Sequence, residues 1–292
     1  MLKNLLKSLA QQTLIPSQII ICDASNPINQ LNFSDLTQYP FKIKYEISNI
    51  QSAAVQRNIC LDKVDGGFKY LLVLDDDVEI PRNYCESIIG LLERTNACGV
   101  SGIAKKRGEI NRQSWVTNIF KRIALLSSSK QGKILASGIN VPVLSGTPFR
   151  IQEVEWLIGC SAWNLNCIGD IRYPSEFHGQ SLFDDVIFSH RALKKGKLLV
   201  DNRIVLNHLL AEDSRPSTKE FYSMWIINRW FLINEMKNLK IKKWICFHWS
   251  NISKILFEVS YLLIDFNNHY QIILGILSGY KKLFLRNKKN AN

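Results

Sequence analysis

Three consecutive aspartates, Asp75, Asp76 and Asp77, close the apolar run Tyr70-Leu71-Leu72-Val73-Leu74. Carboxylates crowded at the end of a buried strand repel one another and lose hydration, so a fold tolerates them best when a cation is supplied. Side chains alternate along extended backbone, which lets Asp75 and Asp77 face one divalent ion bridging two phosphates. The competing reading is a solvated turn that caps the helix after Pro81. A second acidic pair, Asp184-Asp185, follows Phe183 and precedes Ser189-His190-Arg191. Acids at the start of a helix either cap it or, in a cleft, accept a proton. Asp23 ends the run Ile19-Ile20-Ile21-Cys22, Arg57 lies on a helical stretch, and His208 follows Ile204-Val205-Leu206-Asn207.

These residues need elements to hold them. Leu2, Leu5, Leu6 and Leu9 recur at helical spacing, predicting a helix over 2–12, and Pro16 separates it from the β-branched run at 19–21. An extended segment at 42–48 precedes a helix over 52–63, a strand at 70–74 and a helix at 82–94. Residues 105–150 read as loops with short strands. A strand at 154–158, a helix over 185–194 and strands at 197–201 and 204–206 complete the pattern. Strands alternating with helices predict a mostly parallel sheet, and in such a sheet ligands bind at the carboxyl edge, where the aspartates lie. Beyond Pro216 the chain becomes an aromatic-rich helical tail containing Trp225, Trp230, Trp244, Trp249 and Tyr261. Its apolar stretch is far short of a membrane span. Aromatics interleaved with lysines suit either a helix in the interface of an anionic membrane or a helical pair packed on the catalytic domain.

A chain of 292 residues with 46% hydrophobic content can bury a large core without staples. Its seven cysteines show no metal-binding spacing and read as reduced cytosolic thiols, most of them buried. Met1–Ala10 has the pattern of an amphipathic helix rather than of a signal peptide. The net charge of +12 points to an anionic partner: nucleic acid, a membrane surface or a phosphorylated substrate. A nucleic-acid binder would concentrate its basic residues on one element beside base-stacking aromatics. Here they are spread widely, so no nucleic-acid partner is expected.

Residues 2–90 resemble the donor half of a family 2 glycosyltransferase of the GT-A group. The elements that carry the resemblance are Gln12-Thr13, Ile19 to Ser25, Arg57-Asn58, Leu74 to Asp77, and Pro81. The resemblance implies a Rossmann-like α/β fold with helices on both faces of the sheet. It implies that Asp23 contacts the nucleotide base, that Arg57 lies against the base or phosphates, and that Asp75, Asp76 and Asp77 form the metal and diphosphate site. Phe183-Asp184-Asp185 with Lys195-Gly196-Lys197 is similar to the family's acidic motif, which makes Asp185 the general base. Where many relatives carry a further acid, this chain has Ile187. By the same resemblance His208 joins Asp75 and Asp77 in the metal shell, and Arg215 is a candidate phosphate clamp. Trp156-Leu157-Ile158-Gly159-Cys160-Ser161-Ala162-Trp163 loosely matches the acceptor segment; Gly159 permits close approach, and either tryptophan stacks on a sugar or belongs to the core. The family opens with a strand that nothing before Leu2 supplies, so coding sequence upstream of Met1 is expected to encode it.

Together these readings predict a GT-A-like domain over 1–212, with a donor half (1–100) and an acceptor half (101–212), and a helical segment over 213–292. The expected reaction is inverting transfer of a sugar from a nucleoside diphosphate donor, with Mg or Mn, to a glycan or lipid-linked acceptor. The expected location is cytoplasmic, peripheral on the membrane. The rivals are a catalytically inactive sugar-nucleotide or glycan-binding remnant, and a nucleotidyltransferase, which would need a Gly-rich phosphate loop near the amino end.

Overall fold

Leu5, Leu6 and Leu9 fall on one side of α1 (Leu2–Ala10) and are buried there. The computed structural model describes residues 1–25, 36–106, 115–144, 150–209, 216–236 and 240–291. After α1, Gln12 fastens the chain across sequence: Nε2 donates to the Pro81 carbonyl at 2.9 Å and Oε1 accepts from the Cys85 amide at 3.0 Å. In chain order the elements are β1 (Gln18–Asp23), β2 (Lys42–Ile47), α2 (Ala53–Asp62), β3 (Tyr70–Leu72), β4 (Val78–Glu79), α3 (Tyr84–Thr95) and β5 (Gly99–Lys106). They continue with α4 (Trp115–Ile123), β6 (Ile151–Val154), β7 (Ser161–Asn164), α5 (Leu165–Ile168), α6 (Asp184–Ala192), β8 (Leu198–His208), α7 (Thr218–Glu235), α8 (Lys240–Ser260) and α9 (Phe266–Ala291).

The chain divides into two units: Met1–Glu109 with Val143–Ala211, and Ile110–Pro142 with Glu212–Asn292. The first is a mixed α/β unit. Its six-stranded sheet runs β3-β7-β5-β8-β4, with β6 paired to β8. β5 and β8 are parallel, and β7 is antiparallel to both β3 and β5. Ile88, Leu91 and Leu92 of α3 pack with Val100, Ala162, Leu199 and Leu206 of the sheet in the core. At the bulge between Ser101 and Ile103, a Cβ on Gly102 would sit 2.1 Å from the Ile204 carbonyl oxygen, so only glycine lets the two strands approach there.

β1 and β2 form a separate two-stranded parallel sheet. Asp23 O accepts from Ser48 on the β2 side, while Cys22 O accepts from the Gln56 side chain of α2. Among the described residues, β1 has no strand beyond this second edge, and β3 has none opposite β7.

In the second unit α7 and α9 pack around Ile226, Ile233, Phe247 of α8 and Ile276. Arg229 is fully buried, donating to Asn251, Ser250 and the Ser137 carbonyl, with its guanidinium 3.9 Å from the centre of the Trp225 ring. No described helix is long and apolar enough to cross a membrane.

Several readings change. Residues 110–142 group with the carboxyl-terminal unit and contain α4, where loops and short strands were expected. The strand expected at 154–158 lies at Ile151–Val154, and those at 197–201 and 204–206 are one strand, β8. Cys98 and Cys167 form a disulfide, so these two are not reduced thiols. The antiparallel pairing of β5 with β7 brings Cys98, just before β5, beside α5, just after β7, a juxtaposition that a separation of 69 residues conceals. Of the five free cysteines only Cys85 and Cys160 are buried.

Candidate active site

The site is assembled where four segments end. β3 stops at Leu72, Val73 still donates to the Ser161 carbonyl at 2.9 Å, and the chain then turns through Asp76-Asp77 into β4. β4 pairs antiparallel with the end of β8, which places Val78 opposite His208. The His208 Nε2 atom consequently lies 3.5 Å from Asp77 Oδ1 and 3.9 Å from Asp75 Oδ2. Ligand atoms of Asp75, Asp77 and His208 all fall within 4.8 Å of one another. Two carboxylates and an imidazole are a donor set that a divalent ion of the Mg or Mn type accepts, with the remaining positions left to water or phosphate oxygen. Asp76 is exposed and outside this group. Partial burial, then the charges of Asp77 and Asp75, raise its carboxyl.

Arg57 connects this group to the second acidic pair. Ser52 caps α2, its hydroxyl accepting from Val55 and donating to the Phe177 carbonyl, and so fixes the helix that carries Arg57. One guanidinium nitrogen donates to Asp75 Oδ1 at 2.7 Å and the other pairs with Asp184 Oδ2. The neighbouring Asn58 grips both backbone groups of Tyr173, whose ring lies 5.5 Å from the guanidinium. Gly159 leaves room for this arrangement: a Cβ there would come within 3.1 Å of Arg57 and 3.4 Å of Asp75. Burial alone would raise the Asp75 carboxyl, but Arg57 and His208 outweigh it and hold the group well below the usual carboxylate range. The Cys160 thiol, pushed far up by burial, points at Asp75 from 3.7 Å.

Asp184 and Asp185 open α6. Phe183, with φ of 74°, precedes them and offers no side-chain cap. Instead Asp184 Oδ1 accepts from the Asp185 amide and Asp185 Oδ1 from the Val186 amide, each at 2.7 Å, so both acids serve the first-turn N–H groups. Burial raises both carboxyls. Arg57 works against this at Asp184, while at Asp185 burial and then the Asp184 charge drive the group up to about 7.

The structure thus brings Asp75, Asp77, His208, Arg57, Asp184 and Asp185 together. Asp23 stands at the end of β1, accepting from the Tyr45 hydroxyl and from Ser25. Burial raises its carboxyl, but these bonds lower it overall. Arg215 lies outside the described residues. Trp163 is only 1% exposed and packs edge-on against Phe188 at 4.8 Å, and Trp156 is also buried, so neither presents a face for stacking. The part of Asp184 as the second partner of Arg57 is the feature that motif reading missed. The doubled acid was its signal, because one carboxylate beside a base candidate needs a cation to hold it.

The sequence matches the model of glycosyl transferase family 2 over residues 1–152. No curated protein sequence matches it. Among solved structures, Staphylococcus aureus TarS residues 1–349 in complex with UDP-GlcNAc is similar at a TM-score of 0.55 and 15% identity, over 94% of this chain and 75% of that one. The same protein in complex with UDP gives 0.53 at 13% identity, over 89% and 70%. GalNAc-T7 with UDP, GalNAc and Mn2+ gives 0.50 at 13% identity, over 88% and 53%. These likenesses show the fold, and the sequence match together with a GT-A architecture establishes that the chain belongs to glycosyl transferase family 2.

Proposed function

We propose that this transferase moves a sugar from a nucleoside diphosphate donor to an acceptor hydroxyl with inversion at the anomeric carbon. The observation that carries the proposal is the Asp75–Asp77–His208 group tied through Arg57 to Asp184 and Asp185. Asp75, Asp77 and His208 would hold a Mg or Mn ion, which when bound neutralises charge on the leaving diphosphate. Asp185 takes the proton from the acceptor hydroxyl, and a single displacement with one base gives inversion. Its carboxyl, raised by burial and by Asp184, has the basicity such a step needs near neutral pH. Asp23 lies on the side of the nucleotide base and the exposed Asp76 faces the donor. Arg57, expected against the base or phosphates, is assigned to holding Asp75 and Asp184 in place, since both ends of its guanidinium are taken up by them.

The UDP, UDP-GlcNAc and Mn2+ bound in the structural neighbours support a nucleotide-sugar donor and a divalent ion. The acceptor assigned is a cell-surface polysaccharide or a lipid-linked glycan, with the enzyme peripheral on the cytoplasmic side of an anionic membrane. The Cys98–Cys167 bond is the feature that pulls against a reducing compartment. Against a binding-only remnant of the same fold stands the retention of Asp75, Asp77, His208, Asp184 and Asp185 in one group. The test is nucleoside diphosphate release across a panel of donors, with Mn2+ or with EDTA. Release from one donor that EDTA abolishes is the expected result; release that EDTA leaves unchanged, or donor binding with no release, overturns the transferase mechanism.

A further inference from the structure

Helix α8 is built inside out. Ile241, Ile245, Trp249, Ile252, Leu256 and Val259 are 48–78% exposed. At 100° per residue all six fall within an arc of about 80° along the helix. Its opposite side buries Ser250, Asn251, Ser253 and Glu258 beside Phe247. Glu258, the helix's only acidic residue, is clasped there by Lys254 and His269. A helix normally turns its apolar stripe to the core and its polar side to water. The second apolar row lies alongside: Trp115, Ile119 and Ile123 of α4 are 47–73% exposed. α4 is fixed to α8 by Phe120 stacked on Phe257 at 5.3 Å and by the Trp249 indole donating to the Ile123 carbonyl at 3.0 Å.

Charge says what covers this face. The unit that contains the sheet has 19 basic and 19 acidic residues, whereas the unit of α4 and α8 has 18 basic and 6 acidic, so the whole net charge of +12 lies there. Residues 110–142 contain no acid at all. Exposed Arg122 and Lys242 adjoin the two apolar rows. Bringing two such faces together in a dimer would set like charge against like, while an anionic lipid surface supplies both an apolar interior and the opposite charge. At about 1.5 Å per residue, α8 extends over roughly 30 Å, long enough to lie along a bilayer surface.

We infer that α4 and α8 form one docking surface for an anionic phospholipid bilayer, lying in the interface with the Ile241-to-Val259 stripe toward the acyl chains. The surface rests on the transfer reaction proposed above for its purpose and is testable without it. The full chain is sedimented with vesicles of phosphatidylcholine, with and without phosphatidylserine, at low and high salt. Partition is expected to favour the phosphatidylserine vesicles by about tenfold, to fall with salt, and to fall by about tenfold again in Ile252→Ser/Leu256→Ser. Both positions are exposed, and far-UV circular dichroism checks that the helix persists. A second readout is quenching of tryptophan emission by brominated phosphatidylcholine carried in the phosphatidylserine vesicles, expected to weaken in Trp115→Phe, which removes the most exposed aromatic of the α4 row. Binding to neither vesicle, or binding unchanged by the double substitution, overturns the inference. So does a dimer that the double substitution dissociates in a protein that ignores vesicles, because the occupant is then a second copy. Vesicle binding without nucleotide release leaves the surface standing and removes the transferase reading.

Discussion

The two units treat polar and apolar residues in opposite ways. In the sheet unit charge is balanced, and its partly buried ionic groups are joined: Arg57 spans Asp75 and Asp184, and His208 faces Asp75 and Asp77. In the helical unit the charge is one-sided and an apolar helix face is turned outward. A basic overall composition therefore says little about the chemistry of this chain. The excess charge belongs to the unit that lacks the acid cluster.

The comparison breaks most readily at Asp185. Replacing it with Asn should lower turnover by about 10²- to 10⁴-fold, the range for loss of a general base. Because the base form is the ionised carboxylate and its pKa is raised toward 7, wild-type turnover should fall as the pH drops through neutrality. Steady-state rates across pH check this, and that acidic limb should be absent from the residual rate of the variant. Next in size, Arg57→Gln leaves Asp184 and Asp75 without their cation and should cost about 3–5 kcal/mol of stability, read from the urea midpoint. A shift of only a few tenths would mean that these acids are not held as a network. The smallest effect belongs to the other unit. Ile252→Ser on the outer face of α8 should change stability in vesicle-free buffer by less than about 0.5 kcal/mol, because an exposed side chain loses little packing. A large loss would show that protein covers this face and would erase the contrast between the units.

Features written in local sequence were legible, and features made by long-range pairing were not. The apolar run ended by three acids marked β3 and the acidic turn that follows it, and the leucine spacing of α1 needed no tertiary information. Motif and flanking pattern placed Asp185 at the start of a helix, where α6 begins. The Arg57–Asp184 pair joins positions 127 residues apart, so the doubled acid signals a cation but not which one. The disulfide was hidden for the same reason. α4 was missed because it is short: Trp115, Ile119 and Ile123 do recur at helical spacing, but the polar and basic residues on either side made the whole stretch read as loop. Trp163 was left between sugar platform and core because an aromatic four residues after Gly159 fits both; packing against Phe188 decides for the core.

The proposed function turns on whether Asp75, Asp77 and His208 hold a cation that serves the donor diphosphate. The most direct measurement is titration of the full chain with Mn2+ in the presence of UDP, counting bound ion by electron paramagnetic resonance in wild type, Asp77→Ala and Asp185→Asn. One bound ion is expected in wild type and in Asp185→Asn, and none at the same concentration in Asp77→Ala. Equal binding in wild type and Asp77→Ala would contradict it.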